Sequence, residues 1–362
     1  MTVNRKALFR VDASAVIGSG HLMRCLTLAK ALQQSNWQVQ FACRAHPGHL
    51  IQWLEDQCFG VITLQQPPKS KATGYAAWLG VTELQDAAEL SEQLQEPVDL
   101  LVIDHYGLSK TFEQAMTGFY LKLLVIDDLA NRAHQCDYLL DQNLYPDMHS
   151  RYDRLVNKEA QLWLGPSYVL LRPEFAQIKR AVNAYHQRFL VFYGGTDELN
   201  LTSLTIKALQ QLQKTDFHAD IVIGLANPHK VELEKLCAED SRFDLFIQTP
   251  HMAKLMSEAT LMIGAGGSTH WERCALALPG LVVTLAENQI ASTLSLVEAG
   301  VCGYLGQGQD LTAAQLSSAV QQLLEQPELL MQMSDNARQL VPQGGGCAAI
   351  VERLNSEFQG QK

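Results

Sequence analysis

ALFRVDASAVIGSGHLMRCLTLAKALQQ, residues 7–34, decides the fold of this chain. Ala7 to Val11 reads as a short strand, and a loop carrying Gly18 and Gly20 follows it. Leu22, Cys25, Leu26, Ala29 and Leu32 then recur at helical spacing on one face. Strand, glycine turn and helix in that order open a doubly wound α/β domain. Outward from it the alternation continues through strand WQVQFACR, helix HLIQWLEDQ and strand GVITLQ. A looser stretch from Pro67 to Gly80 precedes a helix near Glu83 to Gln95, strand VDLLVID, a further helix and strand LKLLVIDD. LLVID is apolar throughout, as strands buried on both faces of a parallel sheet are.

The same order starts again near Arg188. Strand RFLVFYGG leads to helix LTSLTIKALQQLQ, strand ADIVIGLA and helix HKVELEKLCAE. Strand FDLFIQ, helix MAKLMSEA, strand TLMIGAGG, helix STHWERCALAL and strand PGLVVTLA complete it. The expectation is therefore α/β, two Rossmann-like doubly wound domains facing a cleft. The first covers residues 1–180 and the second 181–340, joined by a polar linker from Leu171 to Gln187. Residues 341–362 hold a last helix, Cys347 to Phe358, expected to fold back on the first domain. Ligands of such sheets bind beyond the C-terminal strand ends.

Bulk properties narrow the function. A chain of 362 residues exceeds one ordinary core, and 47% hydrophobic with 18% charged residues is a globular composition. The net charge of −10, with no block of Lys and Arg, argues against nucleic-acid binding. Eight scattered cysteines show neither a C-x-x-C pair nor zinc spacing, so they read as buried thiols. No signal-peptide pattern opens the sequence and no apolar run reaches membrane-spanning length, so the cytoplasm is expected, with no membrane partner. The oligomeric state is left open, a monomer being compatible with everything above.

Four loops stand at expected C-terminal strand ends. In the first, Gly18 and Gly20 allow close backbone approach, and His21 enters the first helical turn, where the positive end of the helix favours neutral imidazole. Asp12, ending the preceding strand, is placed to orient that ring. Spacing alone leaves the loop equally readable as a packing turn. The second, GAGGSTHWER from Gly264 to Arg273, offers amides and the hydroxyls of Ser268 and Thr269 to an anion such as a diphosphate. Glu272 is placed to accept from a ribose diol. No G-K-[ST] follows and the G-x-G-x-x-G fingerprint is incomplete, which disfavours an NTPase and a dehydrogenase. The third loop is Gly194-Gly195-Thr196-Asp197 and the fourth Ala286-Glu287-Asn288-Gln289; Thr196, Asp197 and Asn288 are also good N-caps. Asp104-His105-Tyr106 and Asp127-Asp128 end buried strands as well. The two adjacent aspartates face opposite ways and read as turn residues, not as a shared metal site, while Asp104 or Tyr106 is a sugar-contact candidate.

Together the segments FRVDASAVIGSGHLMRCLTLAKAL, LRPEF, VFYGGTDELN and MIGAGGSTHWERCALALPGLVVTLAENQ resemble the PseG family. Its members are UDP-2,4-diacetamido-2,4,6-trideoxy-β-L-altropyranose hydrolases of pseudaminic acid biosynthesis, related to SpsG-type spore-coat proteins and, more remotely, to the MurG glycosyltransferase. The resemblance runs from Phe9 to about Gly303. It implies a GT-B fold, a UDP-sugar substrate, no metal or other cofactor, and water in place of an acceptor. It puts the catalytic histidine at His21 within G-x-G-H-x-x-R, which also contains Gly20 and Arg24. It puts the nucleotide loop at Gly266, Gly267, Ser268 and Thr269 with Glu272 on the ribose, and further contacts at Arg172, Gly195, Thr196 and Asn288, beside Tyr106 from the first domain. Thr196 stands where the family has serine, and His270 where a smaller residue is expected. Inverting hydrolysis follows as the expected reaction. The alternatives are a UDP-sugar-dependent glycosyltransferase and a non-catalytic nucleotide-sugar-binding protein.

Overall fold

The computed structural model describes residues 5–68, 73–180, 187–213, 216–342 and 345–359. The chain divides into two compact units, the first ending at Arg172 and taking back the residues from Gly346 onward, the second running Pro173–Gly345. The division falls before the expected boundary at residue 180 because the short helix starting at Pro173 packs within the second unit. Residues 181–186 of the expected linker lie outside the described residues.

The first unit contains β1 (Lys6–Val11), α1 (Gly20–Gln34), β2 (Gln38–Arg44), α2 (Ile51–Asp56), β3 (Gly60–Leu64), α3 (Tyr75–Leu79), α4 (Glu83–Gln93), β4 (Val98–Asp104), α5 (Lys110–Ala115), β5 (Tyr120–Ile126), β6 (Tyr138–Asp141) and β7 (Gln161–Leu164). Its sheet is parallel in the order β3-β2-β1-β4-β5-β6-β7. The four-residue strands β6 and β7 extend a sheet that the sequence pattern ends at β5. The direction of strand addition reverses between β1 and β4, so their C-terminal ends open a crevice at that switch point.

Side-chain alternation sorts the strand residues onto two faces. Ala7, Phe9 and Val11 of β1 join Leu100 and Val102 of β4 in a core shared with α1. Leu8, Leu101 and Ile103 point the other way, into a core with α4 and α5. The last helix of the chain, α14 (Cys347–Gln359), completes the first face: Ile350, Val351 and Leu354 enter the same core as Leu22, Leu26 and Leu28.

The second unit follows the same plan. It contains α6 (Pro173–Gln177), β8 (Gln187–Phe192), α7 (Leu201–Gln210), β9 (Phe217–Ile223), α8 (Lys230–Ala238), β10 (Phe243–Ile247), α9 (Met252–Glu258), β11 (Leu261–Ala265), α10 (Thr269–Ala275), β12 (Gly280–Thr284), α11 (Ile290–Glu298), β13 (Cys302–Gln307), α12 (Ala313–Leu324) and α13 (Pro327–Leu340). Its parallel sheet has the order β10-β9-β8-β11-β12-β13, with the switch point between β8 and β11. Gly264 is required there: a Cβ on it would lie 2.1 Å from the Phe192 carbonyl oxygen of the neighbouring strand.

Polar residues tie α4 to the first sheet. Arg10 donates from Nε and Nη2 to Asp86, at 2.8 Å each, and Arg44 donates to the same carboxylate at 2.6 Å. All three side chains are buried. Removing one member of such a group leaves uncompensated buried charge, typically costing about 3–5 kcal/mol. We therefore expect Asp86→Ala to destabilise the protein by about that amount in urea unfolding; a loss under about 1 kcal/mol would show that the guanidinia find other partners.

Candidate functional site

Val11 stands opposite Asp104 in the β1–β4 ladder, so the loop after β1 leaves level with the Asp104 end of β4. The departing loop closes on itself through Gly18 N–H to the Ser14 carbonyl at 2.9 Å, with Gly18 at φ +78°. Helix α1 starts at Gly20, which puts His21 in its first turn and Arg24 one turn further along the same face. Both reach Asp104. His21 Nδ1 lies 2.6 Å from Oδ1, while Arg24 donates from Nε to Oδ2 at 2.5 Å and from Nη2 to Oδ1 at 2.7 Å. Burial opposes ionisation of Asp104, yet Arg24 and His21 outweigh it and hold the carboxyl well below the usual carboxylate range. An ionised carboxylate only accepts, so Nδ1 carries a proton, and in the neutral ring the lone pair then lies on Nε2; Arg24 Nη2, 3.2 Å from Nδ1, gives its shorter bond to the same carboxylate.

The expectation that Asp12 orients His21 is corrected here. Alternation puts Asp12 on the face opposite Asp104, where it is fully buried and accepts from Arg10 Nη1 at 2.6 Å, Arg10 Nη2 at 3.0 Å and the Arg44 amide at 2.7 Å. His46 Nε2 and His105 Nε2 approach its Oδ2 at 3.5 and 3.4 Å. Asp12 thus braces the switch point from below, and Asp104 is the partner of the candidate base. The same parity separates Asp127 from Asp128. Asp127 accepts from Arg132 and the Tyr152 hydroxyl, whereas Asp128 accepts from Arg24 Nη1 at 2.9 Å and from the Tyr106 hydroxyl. Asp128 is therefore a member of the His21 cluster rather than a turn residue. Asp104, fully buried, lies beneath the histidine rather than on a sugar-facing surface.

Tyr106 packs edge-on against His21 with ring centroids 4.5 Å apart. Two aromatic residues that sequence reasoning passed over complete the surroundings. Trp78 stacks on Tyr106 at 5.5 Å and 23°, and Tyr75 meets both rings at 4.9 Å. Their only sequence signal is an aromatic pair three residues apart inside a stretch read as irregular.

In the second unit the glycine loop leaves β11 at the other switch point. Gly266 N–H is bonded to the Val283 carbonyl at 2.9 Å and Gly267 turns at φ +100°. Ser268 is exposed, while Gly266, Gly267, Thr269 and Glu272 are half-buried at the opening of α10. His270 points inward and is buried; its Nε2 lies 3.2 Å from Thr293 Oγ1 and its Nδ1 3.2 Å from Arg273 Nη2. Burial, then the Arg273 charge, keep that imidazole neutral, well below the usual histidine range. In the third loop Gly195 and Thr196 are exposed, and Asp197 turns in to accept the amides of Leu201 and Thr202 at 2.9 and 2.8 Å, capping α7. Asn288 lies in an exposed turn between β12 and α11, beside Gln289, whose Oε1 accepts from the Leu285 amide at 2.9 Å. Arg172 is half-buried at the end of the first unit's main segment.

Among the described residues, His218, Asp220 and Asp244 form a group with spacing that could hold a metal ion. They sit toward the N-terminal ends of β9 and β10, away from the loops, and Arg188 already pairs with Asp220 at 2.6 Å. Also among the described residues, no helix is long and apolar enough to cross a membrane.

His105 gives the first unit a pH dependence. Burial pushes its pKa down to about 4 against the opposing pull of Asp12. The unfolded chain takes up this proton near pH 6.5. The stability linked to neutral His105 is therefore full above about 6.5 and is lost as pH falls through about 4. We expect His105→Gln to flatten the stability-versus-pH curve in that interval, as read by thermal unfolding. An unchanged slope would place the acid sensitivity elsewhere.

Comparisons with known proteins agree with this architecture. Residues 189–346 match the family model described as glycosyltransferase family 28 C-terminal domain. The chain is 31% identical over 298 residues, covering 82% of it and 97% of the relative, to the UDP-2,4-diacetamido-2,4,6-trideoxy-beta-L-altropyranose hydrolase of Campylobacter jejuni. It is 24% identical over 274 residues, 75% of it and 80% of the relative, to the spore coat polysaccharide biosynthesis protein SpsG of Bacillus subtilis. Among solved structures, Acinetobacter baumannii MurG superposes with a TM-score of 0.69 at 17% identity, covering 98% of this chain and 100% of that one. The calicheamicin glycosyltransferase CalG4 gives 0.62 at 14%, covering 99% of each. The fold is the GT-B type, with two doubly wound α/β domains.

Proposed function

The chain belongs to the PseG family of UDP-2,4-diacetamido-2,4,6-trideoxy-β-L-altropyranose hydrolases, and from that membership we propose that it hydrolyses a UDP-linked 2,4-diacetamido-2,4,6-trideoxy sugar at its anomeric carbon, releasing UDP and the free sugar with inversion, in pseudaminic acid biosynthesis. The observation that carries this reading is the pair formed by His21 and the buried carboxylate of Asp104 at 2.6 Å. A carboxylate on Nδ1 fixes the tautomer that leaves Nε2 able to take a proton, and it stabilises the imidazolium once formed. A water whose proton passes to Nε2 attacks the anomeric carbon; the new C–O bond forms as the bond to the diphosphate oxygen breaks, and the electron pair leaves with UDP.

The departing diphosphate gains negative charge. We assign its stabilisation to the loop Gly266, Gly267, Ser268 and Thr269, with Glu272 on the ribose and Gly195, Thr196, Asn288 and Arg172 as further contacts. Gly20, Arg24 and Tyr106 belong to the sugar side with His21. Arg24 is committed to Asp104 and Asp128, so its part is to hold the base rather than to bind the substrate itself. The glycosyltransferase likeness covers the fold and the family model matched by residues 189–346; in this reaction water stands where a transferase accepts a sugar hydroxyl. A nucleotide-sugar substrate and seven buried thiols suit a cytoplasmic enzyme.

General-base assistance contributes typically about 10²–10⁴-fold. We expect His21→Ala to lower the rate of UDP release on that scale while leaving UDP affinity within a few-fold, and Asp104→Asn to lower it through the wrong tautomer. NMR of the reaction in labelled water should show the inverted anomer forming first. Undiminished turnover in His21→Ala, or retention at the anomeric carbon, would refute the assignment.

A further inference from the structure

The ring cluster beside His21 has a feature that the hydrolytic step does not use. Helix α3 is a single short turn with two differently occupied faces. Leu79 is buried in the core with Leu90 and Leu101, while Tyr75 and Trp78, three residues apart, lie together on another face and remain half-buried. Glycines at φ +62° (Gly74) and +76° (Gly80) bound the turn. It is pressed against the loop that carries Tyr106: a Cβ on Gly107 would stand 2.6 Å from the Tyr75 carbonyl oxygen. The position of α3 is thus set by contact with the active loop itself.

Trp78 lies 6.1 Å from the His21 ring and stacks on Tyr106, whose hydroxyl is spent on Asp128. The Tyr106 ring is thereby fixed as a rigid plank, and the indole extends it. A partly exposed aromatic surface this close to the base gains nothing for the core, which Leu79 already serves. It matches a ligand with a flat apolar flank.

We propose that Trp78, supported by Tyr75, is a specificity-determining wall that receives the apolar flank of the sugar, where the 6-deoxy position presents a methyl group instead of a hydroxymethyl. This rests on the hydrolase reading above. A hydroxyl added at that position would lose its water against the indole face without gaining a partner, so the wall discriminates by desolvation. Pockets that sense one such group separate substrates by about 10–200-fold.

The test compares UDP release from the UDP-linked 2,4-diacetamido-2,4,6-trideoxy sugar with release from its 6-hydroxy counterpart, in the unsubstituted enzyme, Trp78→Ala and Trp78→Phe. We expect Trp78→Ala to lower kcat/KM for the deoxy sugar by about 10–100-fold, mostly through KM, and to bring the ratio between the two sugars toward one. Trp78→Phe should keep most of the ratio, and inhibition by UDP alone should not change. Equal losses on both sugars, or an unchanged ratio in Trp78→Ala, overturn the wall. Should the alanine variant fail to fold, Trp78→Leu keeps the apolar volume without the flat face and is judged by the same ratio. Release of UDP from neither sugar by the unsubstituted enzyme would instead overturn the hydrolase reading, which separates the two failures.

Discussion

Asp104 is a carboxylate buried at the switch point of a parallel sheet, and the candidate site depends on how its charge is balanced. Bringing such a group out of water costs several kcal/mol after relaxation, and only close, well-directed partners offset it. Here Arg24 supplies a two-pronged contact and His21 an N–H, both from one face of α1. Any rotation of α1 against β4 would break all three bonds together. The carboxylate therefore fixes the helix, the imidazole tautomer and the guanidinium at once. Through Arg24 the constraint extends to Asp128, just past the end of β5, and through Asp128 to the Tyr106 ring. The candidate base, its carboxylate partner and an aromatic plank are held by one chain of charge-assisted bonds.

Sheet parity explains why this chain assembles where it does. Asp104 and Asp128 follow Val102 and Ile126, which point into the core beneath α1. Asp12, Asp127 and Asp141 follow residues of the opposite parity and meet a different set of partners, among them Arg10, Arg132, Arg151 and Tyr152. On that side burial prevails at Asp141, whose pKa is pushed up to about 7 despite Arg151 at 3.0 Å. On the same face Arg10 holds Asp12, and Arg132 holds Asp127, below the usual carboxylate range against burial, so the raised value is particular to Asp141. The α1 face keeps Asp104 ionised beneath a base, and the other face uses its aspartates to anchor loops.

Much of this was legible in the sequence, and the part that was not has a definite cause. Strand, glycine turn and helix at residues 7–34 give the fold, because a 3.6-residue period and an apolar strand are local signals. His21 follows from the same stretch. Its partner does not, because pairing His21 with Asp104 requires knowing that β4 lies beside β1 in register Val11–Asp104, a contact spanning some eighty positions. Asp12 attracted the assignment by nearness along the chain, and alternation turned it to the other face. Strands β6 and β7, at four residues each, are too short to show a period, and Tyr75 with Trp78 sits on one helical turn inside a polar stretch.

His270 shows the second unit solving a related problem without a carboxylate. It stands, next to the hydroxyls of the glycine loop, where the family resemblance leads one to expect a smaller residue. The side chain turns under the loop. Arg273 is only a donor, so the Nδ1 that faces it must accept, which leaves the proton on Nε2 to be given to Thr293 Oγ1. One tautomer of a neutral ring therefore joins α10, which opens at the glycine loop, to α11, which follows the turn containing Asn288. A Cβ on Gly266 would stand 3.0 Å from Nε2, so glycine lets the loop rest closely on the imidazole. Protonating His270 would put an Nδ1–H donor against the Arg273 guanidinium in a buried site, and burial with Arg273 opposes it. In the first unit a buried charge orients the imidazole of the candidate base. In the second, burial together with the Arg273 charge keeps an imidazole from taking a proton, and its fixed tautomer holds two loops together.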